Sequence, residues 1–349
     1  MSAGKVKING TTVEIAPKET ILTAANRAGI SIPTLCHDPR LEPAGACRTC
    51  LVEVKGERRL LPACAYPASN GMEVTTESES ISRHRRALLS FYKADHQLNG
   101  KENSDNELEA MIAKFGTSLE LPPLNAPRLG REDPNPYITF QPELCIVCAR
   151  CTRYCDEVEA VNAIGLAHRG SQTTIATVMD EGLLNTTCEL CGGCIDTCPT
   201  GALSETKARA YSAQTLEKVR TTCNYCGVGC QMDLNVVDNK VVKVTSPPPG
   251  ETLNDGNLCV KGRFAYDFIH HDERLTTPLI RVEGQLHPAT WEEALAKTAQ
   301  GLLGIKKRWG ADSLGFISSS RCTGEENYLM QKLARAAFGT NNCHQCAAT

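Results

Sequence analysis

Cys145-Ile-Val-Cys-Ala-Arg-Cys-Thr-Arg-Tyr-Cys155 and Cys188-Glu-Leu-Cys-Gly-Gly-Cys-Ile-Asp-Thr-Cys198-Pro199 share the spacing C-x2-C-x2-C-x3-C and lie 43 positions apart. Three thiolates within seven residues do not close comfortably on one tetrahedral zinc, whose sites bring two C-x2-C pairs together from separate turns. They do wrap one face of a cubane, with a remote fourth cysteine completing the ligand set. Motifs this short carry little core of their own and depend on metal to fold. Residues 137–210 are therefore expected to be one duplicated domain with two [4Fe–4S] clusters.

The same reading extends outward in both directions. Cys36, Cys47, Cys50 and Cys64 form C-x10-C-x2-C-x13-C, and Cys223, Cys226 and Cys230 form C-x2-C-x3-C with Cys259 as a distant fourth. Sixteen of the nineteen cysteines fall into these four blocks. Such a chain is built to move electrons one at a time. Zinc remains an alternative for the first block and, on spacing alone, more so for the last.

Composition removes other classes. The net charge is −3, from 37 Lys+Arg against 40 Asp+Glu, and aromatic content is 5%, so neither a basic nucleic-acid footprint nor a base-stacking surface is expected. The first residues, MSAGKVKING, form no secretory signal, and no apolar run is long enough to span a bilayer. Cysteines in tight x2 spacings without an export signal point to metal ligation in a reducing cytoplasm.

Alternating runs joined at Asn9-Gly10 predict a hairpin over residues 5–15. A helix over 20–28 stopping at Gly29 and a strand over Leu51–Val54 would complete a small β-grasp domain, residues 1–80. Residues 81–136 read as a helical linker, with Pro122, Pro123, Pro127, Pro134 and Pro136 marking its exit. Met232–Val237 and Val241–Thr245 read as strands of a domain spanning 216–272. Trp291–Trp309 and Glu325–Phe338 read as helices and Leu314–Ile317 as a buried strand, the incomplete α/β start of a further domain, 273–349. The fold class is thus α+β and multidomain.

The duplicated motif resembles two-cluster ferredoxins, in which the fourth cysteine of each block serves the other cluster. That resemblance implies Cys145, Cys148, Cys151 and Cys198 for one [4Fe–4S] cluster and Cys188, Cys191, Cys194 and Cys155 for the other. The first block resembles the [2Fe–2S] domain of the large subunit of respiratory NADH dehydrogenase. Thr222-Cys-Asn-Tyr-Cys-Gly-Val-Gly-Cys-Gln-Met-Asp-Leu234, Leu258-Cys-Val-Lys-Gly-Arg-Phe264 and Arg274-Leu-Thr-Thr-Pro-Leu-Ile-Arg281 resemble the start of molybdopterin oxidoreductases, and within them cytoplasmic formate dehydrogenases. The resemblance implies a [4Fe–4S] cluster on Cys223, Cys226, Cys230 and Cys259, with Lys261 on the electron path to the pterin. It further implies, in the full-length enzyme, formate oxidation to CO2 at Mo or W held as bis-molybdopterin guanine dinucleotide. Electrons would pass through the clusters to a flavin/NAD diaphorase-type or hydrogenase subunit. A non-catalytic electron-transfer subunit of such a complex is the alternative.

Two departures from that pattern stand out. Relatives carry another cluster on one histidine and three cysteines; here Asp95-His96-Gln-Leu-Asn99-Gly100-Lys-Glu-Asn103 keeps the histidine but has Gly100 and Asn103 where thiolates would stand. Four clusters are expected, one [2Fe–2S] and three [4Fe–4S], with His96 a surface or packing residue. The ending, Phe338-Gly-Thr-Asn-Asn-Cys-His-Gln-Cys-Ala-Ala-Thr349, stops one residue before the family's metal-ligating selenocysteine or cysteine, so a selenoprotein read only to its UGA codon is expected. Cys343 and Cys346 lack a partner pair for metal, Cys322 reads as a small buried residue, and the turn Ser318–Gly324 is a weak candidate for cofactor phosphates.

Overall fold

The computed structural model describes residues 4–96, 106–123, 133–211 and 215–346. It divides into two units, Met1–Leu216 and Glu217–Thr349. In the first unit, β1 (Gly4–Ile8) and β2 (Thr11–Ile15) form the expected hairpin. Asn9 and Gly10 turn it with φ of 49° and 88°, the left-handed pair a two-residue turn requires. α1 (Ile21–Arg27) starts where the Thr20 hydroxyl accepts from the Thr23 amide. Strands β3 (Leu51–Val54), β4 (Leu61–Pro62) and β5 (Glu73–Thr75) complete a five-stranded sheet in the order β2-β1-β5-β3-β4. β1 runs parallel to β5 and antiparallel to β2. Val6, Ile8, Ile21, Leu22, Val52 and Val74 pack between sheet and helix, and Cys50 and Cys64 belong to that same core.

The stretch expected to be a linker is more than that. α2 (Glu79–Asp95) and α3 (Glu107–Phe115) contribute Leu89, Leu108 and Met111 to a second core. Its other members are Leu35, Cys36, Cys47 and Ile146, with Cys148 packed against it. Thus the first and second cysteine blocks touch one hydrophobic cluster. Behind it, β6 (Ile138–Phe140) pairs with a later strand across the duplicated motif. α4 (Arg150–Arg153), β7 (Ile164–Ala167), β8 (Thr174–Thr177), α5 (Gly193–Asp196) and β9 (Leu203–Glu205) follow. β7 pairs with β8, and β6 with β9, both antiparallel.

The second unit opens with β10 (Glu217–Thr222), β11 (Gln231–Val237) and β12 (Lys240–Thr245), an antiparallel sheet. The short α6 (Val260–Phe264) follows directly on Cys259. The hairpin β13 (Leu279–Val282) and β14 (Gln285–Pro288) leads to α7 (Trp291–Trp309), whose span is the one expected. Next come β15 (Phe316–Ser319), α8 (Gly324–Lys332) with a wider turn through Phe338, and β16 (Cys343–Cys346). β16 pairs parallel to β15. The expected strand Leu314–Ile317 is shifted by two residues, because Leu314 enters from a 3-10 turn. Exposure is also uneven there. Leu314, Phe316, Ala334 and Phe338 are buried together, whereas Ile317, Leu329 and Leu333 are exposed and α7 buries none of its residues.

Candidate iron–sulfur centres

The duplication is written in the backbone. Val147 and Ala149 adopt φ of 54° and 59°, and 43 residues on Leu190 and Gly192 adopt 54° and 73°. A left-handed conformation at a residue with a side chain costs about 1–2 kcal/mol. At two such positions in the first repeat and one in the second, where Gly192 stands free of that cost, it turns backbone N–H groups toward sulfur: Val147 donates to Cys145 Sγ and Leu190 to Cys188 Sγ, both at 3.4 Å. Further donors are Ala163 to Cys155 at 3.2 Å, Gly193 to Cys191 at 3.5 Å and Leu203 to Cys198 at 3.5 Å. Such bonds favour a thiolate over a thiol.

Two cavities result. One is lined by Cys145, Cys148, Cys151 and Cys198, with Phe140, Ile146, Ile175 and Pro199 around them. The other is lined by Cys155, Cys188, Cys191 and Cys194, with Tyr154 and Gly192. Each cavity takes three cysteines from one repeat and the last cysteine of the other. Burial pushes Cys148 up to about 12 and Cys151 well above the ordinary thiol range, with the neighbouring thiols adding to both. Cys188 is raised chiefly by burial, with Cys155 contributing. A buried thiolate without a counter-charge is costly, and iron supplies that charge. Among the described residues no three His, Cys, Asp or Glu donors converge as a single metal ion needs.

The first block lies in the loop between α1 and β3 and on the edge of β4. The Cys36 and Cys47 amides exchange bonds with each other's sulfurs at 3.4 Å, and Leu35 N–H also donates to Cys47. Cys50 Sγ lies 3.4 Å from Cys64 Sγ. All four are buried. The bond with Cys36, then burial, holds Cys47 far above the usual thiol range. The bond with Cys36 favours the Cys64 thiolate, but the bond with Cys50 and burial push it up to about 11. Tyr92 of α2 donates to the Cys47 carbonyl at 3.3 Å. Its phenol is raised by burial and then by Cys47, Cys36 and Cys148, and the ring packs against the cluster that holds Cys36, Cys47 and Ile146.

A polar lock joins the same surfaces. Asp38 is paired with Arg40 at 2.8 Å and accepts from Thr197 Oγ1 at 2.8 Å. Against the cost of burial, these bonds hold its carboxyl well below the usual carboxylate range. Arg153 donates to the carbonyls of Cys36 at 2.5 Å and Glu42 at 2.7 Å. Neither this lock nor Tyr92 was anticipated; nothing in spacing or periodicity marks a contact across more than a hundred residues.

In the second unit Cys223, Cys226 and Cys230 lie in the β10–β11 loop, closed by Cys223 N–H to the Cys230 carbonyl at 2.8 Å. Cys223 is buried, whereas Cys226 and Cys259 are exposed. Cys230 is raised by burial and then by the neighbouring thiols of Cys223, Cys226 and Cys259. Burial also raises Cys223, and the charge of Lys261, exposed on α6, acts on it in the opposite sense, favouring the thiolate. Other expectations can be placed. His96 is buried and bonds to Asn106 Nδ2 at 3.2 Å, a packing residue; Gly100 and Asn103 lie outside the described residues. Cys322 is half-buried rather than buried, because it sits in the turn after β15. Cys343–Cys346 is a strand, not the tight turn a C-x2-C chelate needs. In the Ser318–Gly324 turn Thr323 and Glu326 form a capping box, and Arg321 N–H donates to Ser319, so these donors are engaged within the chain.

Comparison with known proteins follows the same divisions. Residues 4–79 match the 2Fe-2S iron-sulfur cluster binding domain. Residues 135–204 match the ferredoxin-like domain of NADH-quinone oxidoreductase subunit 3. Residues 216–271 match the molybdopterin oxidoreductase Fe4S4 domain and 274–349 molybdopterin oxidoreductase. The chain is 37% identical over 349 residues to the NADPH-Fe(3+) oxidoreductase subunit alpha of Geobacter sulfurreducens, covering 96% of this chain. It is 36% identical over 345 residues to an NADH-quinone oxidoreductase subunit of Rhizobium meliloti, covering 97%. It is 28% identical over 385 residues to a Staphylococcus haemolyticus protein named "Putative formate dehydrogenase SH0748", covering 98%. The chain spans 39% of the length of each of these relatives. A chain of the NAD+-reducing [NiFe]-hydrogenase in the H2-reduced state superposes with a TM-score of 0.54 at 29% identity, over 61% of this chain and 91% of that one.

Proposed function

We propose that this chain, a member of the molybdopterin oxidoreductase family with iron–sulfur domains ahead of the molybdopterin domain, conducts single electrons between a molybdopterin centre and a redox partner. One [2Fe–2S] cluster would sit on Cys36, Cys47, Cys50 and Cys64. One [4Fe–4S] cluster would sit on Cys145, Cys148, Cys151 and Cys198, a second on Cys155, Cys188, Cys191 and Cys194, and a third on Cys223, Cys226, Cys230 and Cys259. The observation that carries the reading is the crosswise lining of two cavities by the duplicated motif. The protein's part is to fix the spacing of the clusters and set their potentials by burial and N–H···S bonds.

Formate is the substrate we assign to the whole enzyme. A Mo or W bis-pterin centre supplies the two-electron chemistry there, and Lys261 beside Cys223 lies on the path from it. The support is the motif run from Thr222 to Arg281 and the formate dehydrogenase name among the relatives. The partner is a flavin/NAD diaphorase-type or hydrogenase subunit, and the setting the cytoplasm; among the described residues no helix is long and apolar enough to cross a membrane. The second reading, an electron-transfer subunit without its own substrate, is favoured by the hydrogenase superposition, in which nearly the whole of that chain is matched.

Anaerobic addition of formate to the gene product, made with molybdate or tungstate, separates the two. Bleaching of the cluster absorbance by formate supports the dehydrogenase. Clusters that NADH reduces through a diaphorase, but formate leaves oxidised, support the conduit. A protein with neither iron nor sulfide would overturn both.

A further inference from the structure

We propose that Arg150 raises the reduction potential of the Cys145/Cys148/Cys151/Cys198 centre above that of its duplicate and holds that centre against the Cys36–Cys64 site. This positioning role rests on reading both sites as clusters. Arg150 is 8% exposed and lies between two cysteines of its own block. Its Nε donates to Thr197 Oγ1 at 3.2 Å, next to Cys198. Its Nη1 donates to the Leu35 carbonyl at 3.3 Å, next to Cys36, and to both Glu107 oxygens at 2.9 and 3.1 Å. One guanidinium thus touches the chain neighbours of ligands from two sites.

Charge makes it more than a clamp. Its buried guanidinium is bonded to the residue that precedes Cys198. A cation held there favours the added electron of a reduced cluster, because it offsets the extra negative charge. Its counter-ion Glu107 has 45% of its side chain exposed, against 10% for Arg150, so water screens the anion better than the cation. The duplicate lacks this device. The residue 43 positions on is Gly193, and the Tyr154 ring fills the place of its side chain. An otherwise repeated domain therefore carries a cation within one cysteine block, whereas at the matching place in the other stands a phenol, over which Arg40 lies already paired with Asp38.

The test is a redox titration of the anaerobically prepared protein followed by electron paramagnetic resonance. The signal of the Cys145/Cys148/Cys151/Cys198 centre, called proximal for its closeness to Arg150, is assigned by its loss in Cys148→Ser. In Arg150→Gln the reduced-to-oxidised ratio of the proximal centre at fixed poise should fall about tenfold, 59 mV for one electron, while the duplicate moves less than threefold. Arg150→Lys should restore most of the ratio, and Glu107→Gln should raise it. A clamp without electrostatic effect would leave the proximal ratio unchanged in Arg150→Gln, or shift it the same way in both Gln variants; either overturns the inference. Should Arg150→Gln lose its clusters, the sign of the Glu107→Gln shift decides alone. Wild-type protein without cluster signals would sink the cluster reading and this inference together.

Discussion

Two adjacent glycines should respond oppositely to one methyl group. A Cβ on Gly193 would lie 2.0, 2.3 and 2.7 Å from Cε1, Cζ and Oη of Tyr154. Those are ring atoms, not the end of a flexible chain, and Tyr154 is 1% exposed. Its hydroxyl donates to Glu159 at 3.0 Å and the Arg40 guanidinium lies 4.8 Å over its ring, so the ring has no free direction to turn. Overpacking a core costs about 1–3 kcal/mol, and displacing a buried aromatic adds about 1.5–3 kcal/mol of lost burial. Gly193→Ala should therefore cost about 3 kcal/mol or more and leave the Cys155/Cys188/Cys191/Cys194 site without its cluster. Gly192→Ala puts a methyl in a left-handed position, but the first repeat already carries Ala149 there at φ 59°. Its cost should stay near 1–2 kcal/mol, with both [4Fe–4S] signals retained. Anaerobic denaturant titration and iron-to-protein ratios measure the two. A Gly193→Ala protein with full iron, within about 0.5 kcal/mol of the parent, would refute the packing argument.

Three further outcomes follow from the geometry. His96→Ala should lose about 1–3 kcal/mol, because a buried bond with Asn106 goes, but the cluster spectra should be unchanged; a missing signal would place a ligand at His96 after all. Under oxygen, the centre on Cys223, Cys226, Cys230 and Cys259 should lose iron first, since two of its ligands are exposed while the Cys36–Cys64 site is buried throughout; time-resolved cluster spectra would rank them, and simultaneous loss would count against the assignment. Asp38→Ala should cost about 3–5 kcal/mol by removing the buried carboxylate that binds Arg40 and Thr197, readable as a lower anaerobic denaturant midpoint; a change below about 1 kcal/mol would show that the lock is not closed.

Spacing carried the reading where the chemistry is local. The 43-residue repeat reappears as paired left-handed residues, because a cysteine loop wrapping a cluster must turn its amides inward wherever it occurs. The hairpin at Asn9-Gly10 and the helix Trp291–Trp309 were legible for the same reason: a turn dipeptide and a capping box act within four residues. What spacing could not reveal is long-range. β5 joins the sheet beside β1 through Lys7 to Glu73 and Ile8 to Val74, a choice made by core packing. The helices α2 and α3 read as a linker because few of their residues are apolar: Leu89, Leu108 and Met111 are buried in the core, with Tyr92, Ile112 and Phe115 partly buried against it.

That core shows what holds the described part of the helical segment in place. A metal centre in the 81–136 stretch would tie α2 to its surroundings by ligation. Here Leu89, Leu108 and Met111 do so by burial against Leu35, Cys36, Cys47 and Ile146. Asn106 does so by hydrogen bonds, capping α3 and holding His96 at its start. Burying three such side chains yields about 5–8 kcal/mol before entropy, enough to replace a structural tether. A cluster there would serve either architecture or electron flow. With architecture supplied by packing, Tyr92 and Cys148 lie against the same hydrophobic cluster as Cys36 and Cys47, so under the proposed assignment the first two centres would share one packed wall.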